Sequence, residues 1–254
     1  MKNSIKLPLL ITDADGRILY KSRAVNTAGF LPIVEKALAK GKQSGLVICN
    51  GKSCYMSRVS LSGKDYIFFT DCEKISESFE EYSMELSNEL FDLGVIASDK
   101  RKITLEMLTR IFADACRMAL LDEGVRITVH KMARDIPVCV SPRAFVLALA
   151  LMARLACAEG DIVDFSSVYE YGRVTVECNS IGGKSRKPLS KEMFEILLYE
   201  ASVNGGFEVE RVVSNGKINY VLRLVPADAA FIGLKAPVSE KESYIYAAYI
   251  SMFL

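Results

Sequence analysis

The chain has 254 residues, which predicts one or two domains and leaves room for three small ones. Half of the residues are apolar and a quarter are charged, a globular composition that excludes global disorder. Lys and Arg total 32 against 31 Asp and Glu, so a net charge of +1 makes no electrostatic case for a dedicated nucleic-acid binder, and the single His, His130, excludes mechanisms that need two imidazoles.

The first 73 residues read as strands around one helix. Leu9–Thr12 is a short apolar run that ends in the turn signal Asp13-Ala14-Asp15-Gly16, and Arg17–Ser22 resumes the strand. Asp13 and Asp15 read as turn residues rather than as a site. Leu31–Ala39 is expected as a helix with Pro32 in its first turn. Strands Gly45–Cys49, Ser53–Ser60 and Asp65–Thr70 follow, with hairpin turns at Asn50-Gly51 and Ser62-Gly63.

From Lys74 the period changes. Phe79, Tyr82, Leu86, Leu90 and Leu93 recur at spacings of three and four, which predicts an amphipathic helix over 76–97. Its apolar seam could pair with a second copy or pack on its own domains. A charged break, residues 98–102, opens a second domain. Thr104 reads as the N-cap of a helix through Leu121 that Gly124 ends. A strand follows over Val125–His130. Ser141 and Pro142 open a helix, 143–158, whose apolar block Ala144–Ala153 is half the roughly 20 residues a bilayer needs, so it reads as buried. Strands Ile162–Tyr169 and Arg173–Cys178, a loop over 181–188, a helix over 190–203 and strands Phe207–Ser214 and Ile218–Val225 complete the pattern. The apolar end SYIYAAYISMFL, within the tail 227–254, is expected to be covered, either as an added strand or helix on its own domain or by a partner or membrane surface.

The seven Cys (Cys49, Cys54, Cys72, Cys116, Cys139, Cys157 and Cys178) contain no C-x-x-C, and one His leaves no zinc cluster. They read as buried free thiols in a reducing cytoplasm. The N-terminal apolar run before Asp13 is too short for a signal peptide.

Residues 1–73 resemble a small PAS-type sensor module, on the segment LLITDADGRILYKS and on the element order that follows it. Residues 102–226 resemble the ATP-binding catalytic domain of sensor histidine kinases, of the GHKL class. The resemblance lies in ITLEMLTRIF, GVRITVH, DIPVCVSPRAFVLALALMARLA, GRVTVECNSIGG and LLYEASVNGGFEVERVVSNGKINYVLRLVP, the last a helix, a Gly-Gly, a hairpin and a proline. The fold this implies is α+β. A small antiparallel-sheet domain comes first, then a linking helix over 74–101, then helices on one face of a mixed sheet, with 227–254 as an apolar extension.

The resemblance also implies an ATP site, and the matching residues depart from it. The family holds Mg-ATP with an Asn on the long helix, where magnesium needs oxygen ligands. Leu155 stands at that position, and Leu151 at an earlier one. Cys178 replaces the Asp that binds adenine, and a thiol is the weaker acceptor. Asn179 should point the other way along the strand. Gly182 ends the stretch that matches that Asp and its glycines, and only Gly183–Ser190, with the basic Lys184, Arg186 and Lys187, remain where the family has a long glycine-rich phosphate loop. They could attract an anion or form a solvated loop. The phosphoacceptor His is replaced too: Met84 stands at its place if Ser83–Asn88 matches that helix, and the other alignment makes this the second arm of the helical hairpin. His130 reads as a structural or surface residue.

The expectation is therefore a cytoplasmic, bacterial signalling protein without cofactor or metal, acting by contact with a kinase, a response regulator or a second copy, with no transmembrane segment. Two alternatives stay open. One is a divergent ATP-binding kinase or ATPase with Asn179, Lys184 and Arg186 as rearranged ligands. The other is a small-molecule sensor acting through residues 1–73.

Overall fold

The computed structural model describes residues 9–21, 32, 35–36, 39–41, 43–49, 52–71, 99–119, 124–130, 136–185, 191–214, 217–228 and 240–254. The chain divides into two compact units, Lys6–Asp92 and Leu93–Leu254 with Met1–Ile5.

The first unit is an antiparallel sheet of β1 (Leu9–Asp13), β2 (Ile18–Lys21), β3 (Ser44–Cys49), β4 (Lys52–Leu61) and β5 (Lys64–Asp71), in the order β2-β1-β5-β4-β3. Its middle strands are apolar on consecutive residues, as strands covered on both faces must be. Tyr66, Ile67, Phe68 and Phe69 are all buried. One face gathers Leu10, Cys54, Met56, Ile67 and Phe69. The turn after β1 is built by Asp13, whose Oδ1 accepts the N–H groups of Asp15 (3.1 Å) and Arg17 (2.7 Å). This is an Asx-type turn, so Asp13 acts here as a turn residue. Ser62 and Gly63 both have positive φ (50° and 75°), the geometry of the tight hairpin turn. Pro32, Glu35, Lys36 and Ala39 are helical and exposed. The expected helix over 76–97, with its seam Phe79, Tyr82, Leu86, Leu90 and Leu93, lies outside the described residues up to residue 98.

The second unit contains β6 (Arg101–Thr104), α1 (Leu105–Met118), β7 (Arg126–Val129), β8 (Pro137–Val140), α2 (Pro142–Ala156), β9 (Ile162–Glu170), β10 (Arg173–Gly182), α3 (Lys191–Gly205), β11 (Glu208–Ser214), β12 (Lys217–Leu224) and α4 (Glu240–Phe253). Five strands form a mixed sheet in the order β11-β12-β10-β9-β7, with β7 parallel to β9 and the other pairs antiparallel. Strand alternation puts Val163, Phe165, Val174, Val176, Cys178, Tyr220, Leu222 and Leu224 on one face, and all of them are buried. Helix α2 packs on β10 and β12 there, and α1, α3 and α4 pack on α2. Ring contacts mark the seams: Phe112 to Phe165 across 5.1 Å, Phe145 to Phe207 across 5.9 Å and Phe194 to Phe253 across 6.0 Å.

Thr104 and Ser141 are N-caps as expected, each accepting the N–H three residues on (Met107 and Ala144, both 3.3 Å). Three differences from the expected elements stand out. Helix α1 stops at Met118 rather than at Leu121, because Ala119 turns extended (φ −70°, ψ 151°). Strand β10 continues past Cys178 to Gly182 through a register shift at Ser180/Gly182. The charged break contributes β6, which pairs with β8 in a separate two-stranded ladder. The tail, expected to be covered, takes the helix alternative as α4, which lies on α1 and α2 of its own unit. Residues Ile245–Ile250 are all buried, as a helix apolar on every side must be.

Candidate functional site

Helix α2 carries the two leucines that stand at the expected magnesium position. Leu151 is 0% and Leu155 3% exposed. They lie four residues apart, on one helical face, and that face is closed. A magnesium ion needs oxygen donors and a path from water. Leu151 and Leu155 provide neither. Arg154, one residue before Leu155, lies 6.0 Å over the Phe194 ring.

Cys178 sits on the helix side of the sheet, opposite Phe165 on β9 and Tyr220 on β12, and is 1% exposed. Burial pushes its thiol well above the usual range, and nearby Cys157 and Asp164 push the same way. At ordinary pH it is a neutral, enclosed thiol. Asn179 follows on the other face of the strand, paired in register with Asp164. Its amide therefore cannot replace a carboxylate at residue 178.

That second face holds the pair His130–Asp164. His130 closes β7 by donating its N–H to the Phe165 carbonyl (2.9 Å), and its Nε2 lies 2.6 Å from Asp164 Oδ1. The imidazole thus lies against a carboxylate on the side of the sheet opposite α2.

Gly182 and Lys184 are brought together, by a residue the sequence did not single out. The 8%-exposed Asp161 directs Oδ1 at the N–H of Lys184, 3.0 Å away. A Cβ on Gly183 would lie 1.8 Å from that oxygen, and one on Gly160 would lie 2.3 Å from the Gly182 carbonyl. The Ser185 hydroxyl donates to the Ala158 carbonyl. The end of β10 is therefore stitched to the turn after α2, and a carboxylate of the chain fills the space beside its glycines. The Lys184 side chain is exposed.

A second unforeseen cluster ties α4 down. Arg101 donates to Glu242 at 2.6 Å. Beside them Tyr246 is pushed up to about 12 by its burial and then by Glu242, against the opposing pull of Arg101. A cleft of about 270 Å³ lies next to it between α1 and α4, walled by Met107, Ile111 and Met118. None of Leu151, Leu155, Cys178, Asn179, Gly182 and Lys184 lines it. Among the described residues no cluster of His, Cys, Asp or Glu is placed to hold a metal, and no helix is long and apolar enough to cross a membrane.

No protein-family model and no curated protein matches the chain. Solved structures similar to it are histidine kinases, at low identity. The ATP-binding domain of PrrB from Mycobacterium tuberculosis is 16% identical, with 51% of this chain and 99% of that one covered and a TM-score of 0.38. The blue-light activated histidine kinase of Erythrobacter litoralis is 13% identical over 87% of this chain and 95% of that one, with a TM-score of 0.37. The histidine kinase ThkA, in its complex with the response regulator TrrA, is 11% identical over 88% and 96%, with a TM-score of 0.33.

Proposed function

We propose that this chain is a degenerate histidine-kinase-like signalling protein that works through protein–protein contacts in a bacterial two-component-type pathway. In this reading residues 1–73 are a PAS-like sensor module and 74–101 a linking segment built around a dimerisation-type helix over 76–97. Residues 102–226 are an ATP-binding-like domain that no longer takes nucleotide, and 227–254 are its apolar extension. The β2-β1-β5-β4-β3 sheet supports the first assignment, and helices packed on a mixed sheet support the third.

The observation that carries the reading is the closed face of α2. A nucleotide site there would need an oxygen donor in contact with solvent, and Leu155 is 3% exposed. The glycines at the end of β10 support the same conclusion, since the carboxylate of Asp161 fills the space beside Gly183 and would repel an anion there. Free Cys54, Cys116, Cys139, Cys157 and Cys178 support a reducing cytoplasm. The partner in this reading is a kinase or a response regulator, and the contact requires no cofactor.

The test is phosphoryl transfer. Full-length protein incubated with radiolabelled Mg-ATP, alone and with a receiver protein, is expected to give no labelled chain and no labelled receiver. Acid-labile phosphate on either would overturn the reading.

A further inference from the structure

Strand β9 spans nine residues, Ile162–Glu170, but its pairing with β7 ends at Val129↔Phe165. The carbonyls of Asp161 and Phe165 accept the N–H groups of Arg126 (2.8 Å) and His130 (2.9 Å). In an antiparallel ladder, alternate residues direct both backbone groups to the same side. β9 pairs with β10 without a shift from Phe165 to Glu170. Ser167 and Tyr169 therefore turn their N–H and C=O groups away from β10, as Phe165 does. Among the described residues no strand meets them there.

The open stretch runs from Ser166 to Glu170. At one end His130 closes it; at the other lies the turn of Tyr171 and Gly172, whose φ angles are 52° and 75°. Val168 is 42% and Tyr169 47% exposed, and Tyr171 fully so. An exposed edge of this kind templates pairing unless charged side chains, a Pro or a bulge blunt it. The segment Ser-Ser-Val-Tyr-Glu has no Lys, Pro or bulge, and its one charge, Glu170, stands at the end of the stretch.

We propose that this edge pairs with the same edge of a second copy, antiparallel about a two-fold axis at Val168. The sequence is complementary to itself in that register. Ser167 and Tyr169 of one copy face Tyr169 and Ser167 of the other, and these are the residues whose backbone groups point outward. Val168 meets Val168 as the close, non-hydrogen-bonded pair. Glu170 is the one charged residue of the stretch and falls opposite Ser166, so no like charges meet. The register uses the open window in full and makes one continuous sheet of the two five-stranded sheets.

The test is sedimentation of the full chain over a concentration series, with Val168→Lys, Val168→Glu and their equimolar mixture. Each single variant sets like charges opposite each other and is expected to weaken the association at least about tenfold, whereas the mixture restores it. Ser167→Pro, which removes an outward N–H at an edge that tolerates proline, is expected to weaken it as well. Variants that sediment like the unmodified chain at every concentration would overturn the proposal, whatever else the chain assembles through.

Discussion

Asp161 fills the space that a side chain on Gly183 would need: a Cβ there would lie 1.8 Å from the carboxylate oxygen. Gly183 also has φ +93°, a backbone that L side chains adopt only with strain. Both facts predict the outcome of one substitution. Gly183→Ala should cost about 2 kcal/mol or more and lower the melting temperature by several degrees. Gly172→Ala is the control. It has a similar φ of +75° but open space around it, and should show only the smaller backbone penalty, about 1 kcal/mol. Thermal unfolding of the two variants side by side checks the difference.

Restoring the missing side chain should not restore the site. Leu155→Asn places the expected magnesium ligand on α2, but at a position 3% exposed. The variant loses apolar burial and encloses an amide, at a cost of about 3 kcal/mol. It should unfold at lower denaturant and still show no stabilisation by Mg-ATP. Stabilisation by nucleotide would mean that residue 155 does face a pocket.

Stability should fall on the alkaline side. Burial pushes the Cys116 thiol from 9.0 up to about 12, and the Tyr246 hydroxyl from 10.0 to about 12. In both groups the folded chain holds the proton more tightly than the unfolded chain. Their stabilising contributions are complete below the unfolded values and are lost as pH climbs towards 12. Melting temperatures measured from pH 8 to the alkaline limit should therefore decline above about 9. Tyr246→Phe should flatten the part above about 10. An unchanged slope in that variant would contradict the burial of Tyr246.

The features visible in the sequence are those set by neighbouring residues. Thr104 and Ser141 cap their helices by reaching three residues along, so their type and position suffice. The opposite facings of Cys178 and Asn179 follow from strand alternation alone. The features that escaped depend on distant parts of the chain. Strands β6 and β8 are four residues each, and only their mutual pairing makes them strands. Asp161 gains its role from Lys184, 23 residues later. The tail was legible as covered, but strand and helix stayed open there, because Ile245–Ile250 are buried on every side and show no polar stripe with helical period.

The central claim is that the α2 face takes no nucleotide, and calorimetric titration of the full chain with Mg-ATP and Mg-ADP tests it most directly. No binding heat and no thermal stabilisation are expected up to millimolar nucleotide. Micromolar binding, lost when Asn179 and Lys184 are replaced, would contradict it and return the chain to the nucleotide-dependent enzymes.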